Sequence, residues 1–225
     1  MIFCSASRQT FQVPAAVQGR YVVESSDTSP GPLPLLVGFH GYAETAEQHL
    51  EALRRIPGID RWRRCAVQAL HPFYRGKTGD VVASWMTRLG REQAIEDNIR
   101  YVQDVVTRVM SDFPTREPLV YVGFSQGTAM AYRAAAGAGH RSLALLALGG
   151  DVPPELADRE LAVFPRVLIG RGASDPWYSE EKLEADVELL ENKGVAVEVC
   201  RFDGGHEWSE AFYRAAGDLL KAVRS

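Results

Sequence analysis

A chain of 225 residues is long enough to bury one sizeable α/β core and too short for two, so the sequence reads as one domain spanning 1–225. Hydrophobic residues at 46% and charged residues at 24% are the proportions of a soluble globular chain, which argues against disorder and against a membrane protein. With 25 Lys and Arg against 29 Asp and Glu, the net charge of −4 leaves no basic footprint for a phosphate backbone, and nucleic acid is not an expected partner.

The first residues, MIFCSASRQTFQ, contain no basic segment followed by an apolar run, and no window approaches the roughly 18 apolar residues of a spanning helix. Cys4, Cys65 and Cys200 are widely spaced and form no C-x-x-C pair. A reducing, cytoplasmic setting without membrane attachment is therefore expected.

Further along, short β-branched and aliphatic runs alternate with longer segments of helical spacing, the pattern of βαβ units around a mostly parallel sheet covered on both faces. Strands are predicted over 20–24, 34–40, 65–71, 119–124, 143–148, 166–171 and 195–202. Most are continuous apolar runs, as strands buried on both faces must be. A helix is predicted over 46–56, ended by Pro57-Gly58. The longest, over 91–110, carries Ile95, Ile99, Val102, Val105, Val106 and Val109 on one stripe, with a charged outer face in which Arg91, Arg100 and Arg108 balance the acids. An Ala-rich helix follows over 127–136, another over 179–192 with Gly194 as its stop, and a last over 209–223. The connections over 26–32 and 149–154 are too short to be interdomain linkers. The basic cluster 61–64, Arg-Trp-Arg-Arg, reads as a solvated lead-in to a buried strand.

The chemistry concentrates at Gly123-Phe124-Ser125-Gln126-Gly127, a G-x-S-x-G motif with a strand running into it and a small-residue helix running out. The glycines permit a tight turn that lifts the Ser125 hydroxyl to the C-terminal edge of the sheet, at a helix N-terminus that favours developing negative charge. Serine is a weak nucleophile near neutrality, so it needs a base and a residue to orient that base. Asp175, after the strand over 166–171, and His206, after the strand over 195–202, each lie in a Gly-containing loop at a strand end, in the order Ser, Asp, His. An oxyanion hole needs backbone N–H groups, which Gln126 and, from the loop Gly38-Phe39-His40-Gly41-Tyr42, Tyr42 can supply. His40 precedes the nucleophile and is read as bracing its loop. His71, in Leu70-His71-Pro72, also ends a strand and could line the site. Neither H-E-x-x-H nor clustered Cys and His at ligand spacing is present, so no metal is expected.

The elbow GFSQG, the His40-Gly41 loop, Ser84-Trp85 ahead of the long helix, and the late Asp175 and His206 together resemble the phospholipase/carboxylesterase family of α/β-hydrolases, the branch that includes acyl-protein thioesterases. The resemblance spans nearly the whole chain. It implies an α/β-hydrolase fold with a mostly parallel central sheet flanked by helices and no large cap domain. It also implies hydrolysis of esters or thioesters through an acyl-serine intermediate, without metal or cofactor, by a monomer or homodimer. Many relatives continue the H-G loop with Leu-Gly-Asp, where this chain has Tyr42-Ala43-Glu44, and carry aliphatic residues after the acid, where this chain has Pro176-Trp177-Tyr178. His40, Trp85, Trp177 and Trp208 are thus candidates for a substrate pocket of aromatic character, together with Tyr42 at its edge. The leading expectation is a carboxylesterase-type serine hydrolase acting on small-molecule esters of short to medium acyl length. The alternatives are a thioesterase or peptidase using the same triad, and a non-catalytic relative that binds a ligand or partner.

Overall fold

The computed structural model describes residues 8–25, 31–161 and 163–224. Cys4, the start of the N-terminal segment and most of the connection over 26–32 lie outside the described residues.

Strands β1 (Arg20–Glu24), β2 (Leu33–Phe39), β3 (Arg63–Gln68), β6 (Thr115–Phe124), β7 (Ala144–Leu148), β8 (Arg166–Gly172) and β9 (Val197–Phe202) form a seven-stranded sheet in the order β1-β3-β2-β6-β7-β8-β9. Only β1 runs antiparallel to its neighbour. The remaining pair, β4 (His71–Tyr74) and β5 (Val81–Ser84), makes a separate antiparallel hairpin. Sequence reading extends one strand over 65–71, whereas the chain breaks after Gln68 and His71 opens the hairpin. The hairpin's four-residue strands alternate weakly and carry Pro72, so they leave little periodic signal.

Helices α1 (Ala46–Arg54), α2 (Arg91–Asp112), α3 (Gln126–Gly137), α4 (Glu180–Asn192) and α5 (Glu210–Arg224) cover both faces. Alternation along β2 divides the core: Leu35, Val37 and Phe39 join the cluster that includes Val102, Val106 and Met130 of α2 and α3, while Leu36 joins Leu53 of α1 and Phe212 and Leu220 of α5. Helix ends follow local chemistry. Thr45 and Gln48 close a capping box on α1, the Ser179 hydroxyl accepts from the Lys182 N–H at the start of α4, and Gly194 at φ +76° takes the left-handed turn that stops it.

The basic cluster 61–64 is a correction. β3 is an inner strand, and Trp62, Arg63 and Arg64 are only 1%, 7% and 6% exposed. Arg64 pairs with Glu24, and the Arg63 guanidinium lies 4.8 Å over the Phe113 ring. Long side chains at an edge between strands bury their stems and find partners for their charged heads.

Candidate active site

Seen along the sheet, β6, β8 and β9 all end on the same side, and Ser125, Asp175 and His206 follow their C-terminal ends. Ser125 sits at φ 53°, ψ −121°, a conformation that a residue with a Cβ adopts only when its surroundings impose it. Those surroundings are tight. A Cβ on Gly127 would lie 2.0 Å from the Phe39 carbonyl oxygen, and one on Gly123 2.4 Å from that of Gly127. The Ser125 N–H donates to the Leu148 oxygen at 2.9 Å, tying the turn to the end of β7.

The Asp175 carboxylate is 1% exposed and is held from three directions. Oδ2 lies 2.7 Å from His206 Nδ1, and Oδ1 accepts the N–H groups of Trp177 and Tyr178 at 2.8 and 3.0 Å. Burial by itself would raise its pKa, but the Tyr178 N–H, His206 and the Trp177 N–H outweigh it and hold the carboxyl below its ordinary value. His206 lies against Phe124, ring centroids 5.0 Å apart. Gly149 and Gly150 connect this pair to the elbow: a Cβ on Gly149 would be 3.1 Å from His206 Nδ1, and one on Gly150 2.4 Å from the Ser125 carbonyl oxygen. One glycine pair therefore touches both Ser125 and the Asp175–His206 couple.

On the other side, the loop after β2 is locked by side chains. His40 is fully buried; its Nε2 accepts the Ala69 N–H at 3.0 Å and its Nδ1–H donates to the Gly41 oxygen at 2.7 Å. Both nitrogens are spent and burial lowers the pKa, so the ring is neutral and braces the loop. Trp85 is fully buried too, its Nε1–H donating to the His40 oxygen at 2.8 Å. The Gln126 side chain clips this region to the elbow: Oε1 accepts the Trp85 N–H at 2.9 Å and Nε2 donates to the Met86 oxygen at 3.0 Å. Among the described residues, the backbone N–H groups of Tyr42 and Gln126 have no hydrogen-bond partner, while that of Gly41 is taken by Glu44 Oε2 at 2.7 Å. Burial pushes the Glu44 carboxyl up, against the opposing pull of the Gly41 N–H and of His206.

A cavity of about 480 Å³ opens beside Ser125, bounded by the segment 86–88, the turn 149–154, one face of α3 and Trp177. Of the aromatic pocket candidates, Trp177 lines it, 71% exposed. The others do not. His40 and Trp85 are sealed in the core, and Trp208 stacks on Tyr213, centroids 5.5 Å apart, on the α5 side. Tyr42 is exposed and stacks on Phe73 of the hairpin. His71 is likewise in the hairpin, paired across to Ser84. Aromatic type alone gives no side-chain direction, and indole rings fill cores as readily as pockets. Arg91, exposed on α2 as its periodicity places it, also lines the cavity.

Sequence reading passed over the Gly149-Gly150 pair, Glu44 as a partner of Gly41, and Arg133 in the cavity wall. The glycines had a signal, since they follow a predicted strand at its C-terminal end. Arg133, the one charged residue in the run GTAMAYRAAA, had a weaker one. Among the described residues, no three His, Cys, Asp or Glu side chains are grouped as metal ligands would be, and no helix is long and apolar enough to cross a membrane.

No protein-family model and no curated protein sequence matches the chain. Solved structures do. Esterase PE8 superposes with a TM-score of 0.71 at 19% identity, covering 92% of this chain and 100% of that one. The acyl-protein thioesterase 2 of Zea mays gives 0.70 at 16% identity over 92% and 100%, and the Bacillus cereus carboxylesterase 0.69 at 16% over 91% and 94%. This is the α/β-hydrolase fold. The β4–β5 hairpin stands apart from the main sheet, and among the described residues no large cap domain is inserted into this fold.

Proposed function

We propose that the protein is a serine hydrolase that cleaves carboxylic esters through an acyl-serine intermediate. The observation that carries this reading is a serine in a strained strand-to-helix turn beside a buried Asp175–His206 pair at 2.7 Å. Neither ligand binding nor packing calls for that combination. In the reading, Ser125 Oγ attacks the ester carbonyl while His206 Nε2 takes its proton and passes it to the leaving alcohol. Water then attacks the acyl-serine with His206 again as base, which releases the acid and restores the serine. Asp175 fixes the imidazole with Nδ1 protonated and stabilises its cation. The N–H groups of Tyr42 and Gln126 receive the oxyanion.

The test is hydrolysis of p-nitrophenyl esters from acetate to dodecanoate by wild type and Ser125→Ala, with fluorophosphonate labelling of both. Turnover and labelling confined to wild type are expected; an active Ser125→Ala protein, or a wild type that neither turns over nor labels, overturns the reading. Thioester cleavage uses the same steps, and one structural neighbour is an acyl-protein thioesterase. Values of kcat/KM for matched oxoesters and thioesters separate the two.

A further inference from the structure

The cavity beside Ser125 has a charge opposite to that of the chain. In a protein of net charge −4, its wall carries Arg88, Arg91, Arg133 and Lys182 against Asp151, with Glu155 just behind Arg133. Two of these cations are partly neutralised: Lys182 Nζ lies 3.2 Å from Asp151, and Arg133 Nε 2.6 Å from Glu155. The others are not. Arg91 has a contact of 3.3 Å to the Met86 sulfur, a weak acceptor, and Arg88 has no ion-pair partner among the described residues.

Arg133 is the unusual member. It is 2% exposed, its Nη1 reaches only the Met86 sulfur at 3.8 Å, and its Nη2 is buried with no hydrogen-bond partner. Burial, which Glu155 opposes and Arg91 reinforces, lowers its pKa. A buried guanidinium with unmet N–H groups is costly, and a second guanidinium close by adds to the cost. An oxyanion entering the cavity relieves both, because the planar fork of arginine matches a carboxylate or phosphate.

Spacing relates this group to the serine. Gln126, Ala129 and Arg133 follow the three- and four-residue intervals of one helix face and all line the cavity. From Gln126 to Arg133 the helix rises about 10 Å, at ~1.5 Å per residue. The arginine side chain leans back toward the helix N-terminus, shortening that reach. Resting on the ester-hydrolysis reading, we propose that the preferred substrates are esters bearing an oxyanion, a carboxylate or phosphate, several carbons from the scissile carbonyl, bound by Arg133 and Arg91.

The test pairs each charged ester with a neutral counterpart of equal length. p-Nitrophenyl hemiesters of glutarate, adipate and suberate carry the charge on the acyl side, and acetyl esters of ω-hydroxy acids carry it on the alcohol side; the methyl esters of both are the neutral partners. At low salt, kcat/KM for at least one charged series is expected to exceed its neutral partner by roughly tenfold or more, with the ratio falling as salt rises. Arg91→Gln, at an exposed position, should reduce that ratio, chiefly through KM. Arg133→Gln should reduce it further, and circular dichroism checks its folding. Binding of free adipate and of hexyl phosphate to Ser125→Ala, by calorimetry, reads the cavity without turnover. Binding of either supports the proposal, and the tighter one identifies the anion. Neutral esters cleaved as fast as charged ones, with no anion bound, overturn the proposal and leave ester hydrolysis standing. Anion binding without cleavage of any ester would uphold the anion site and overturn the hydrolase reading.

Discussion

The two walls on either side of Ser125 are built differently. The wall made by residues 40–44 and 84–86 is closed by internal hydrogen bonds: both His40 nitrogens, the Trp85 indole N–H and both ends of the Gln126 amide are satisfied within it. The wall made by the turn 149–154, the start of α2 and the far end of the α3 face leaves the buried guanidinium of Arg133 partly unsatisfied. Satisfied polar networks fix geometry, which an oxyanion hole requires, whereas unsatisfied ones store free energy that a ligand can recover. The contrast assigns positioning to the first wall and recognition to the second.

Substitutions can break this division, beginning with the acid that orients the catalytic histidine. Asp175→Asn removes the charge that orients His206 while keeping an acceptor for the Trp177 and Tyr178 N–H groups. A loss in kcat on the order of 10⁴-fold is expected, by analogy with the serine-protease template, with a smaller change in folding stability. Steady-state kinetics beside a urea melt checks both.

Asp186 probes the second wall. It accepts the Val152 N–H at 3.0 Å and the Tyr178 hydroxyl at 2.9 Å, so it holds two parts of the cavity rim. Burial pushes its pKa from 3.8 up to about 6. Between those values the folded state binds the proton more tightly than the unfolded one, so the stability Asp186 confers is complete below about pH 4 and is lost as pH rises through 6. Asp186→Asn keeps an acceptor and removes the charge. At pH 7 it should stabilise the fold by on the order of 2–3 kcal/mol and flatten the pH 4–6 slope, as read by urea melts across that range.

Gln126→Ala tests the first wall. The Trp85 N–H is left unpaired in the core, and a loss of about 1–2 kcal/mol is expected, as a lower urea midpoint at unchanged slope. The backbone N–H of residue 126 survives the change, so a fall in kcat would come from displacement of the loop. Trp177→Ala should have the smallest effect on folding, within about 0.5 kcal/mol, because the ring is 71% exposed. Its consequence should appear in KM for larger esters.

Much of the architecture is legible in the sequence. All seven strands of the main sheet and all five helices coincide in place with predicted segments, because continuous apolar runs and helical stripes are local signals that burial on two faces demands. The β4–β5 hairpin is not legible, since strands of four residues carry too few positions to set a period. The elbow was readable because G-x-S-x-G is a local motif, with Gly123 confined by Gly127 four residues on, although what confines Gly127 is the Phe39 carbonyl of distant β2. The pocket was not. Which indole fills the core and which reaches the cavity depends on the direction each element presents, and Trp85 and Trp177 differ in that alone.

The sequence by itself determined the alternation of strands and helices, the strand-to-helix turn at Ser125, and the chain order of the acid and the histidine, because each rests on a motif or periodicity local to the chain. Only the tertiary structure decided that Asp175 and His206 meet at 2.7 Å, that Gly149 and Gly150 bridge them to the elbow, and that Arg91 and Arg133, 42 residues apart in sequence, converge on one cavity beside Ser125. Such convergence is set by how separate helices pack on a shared sheet, and no local pattern encodes it.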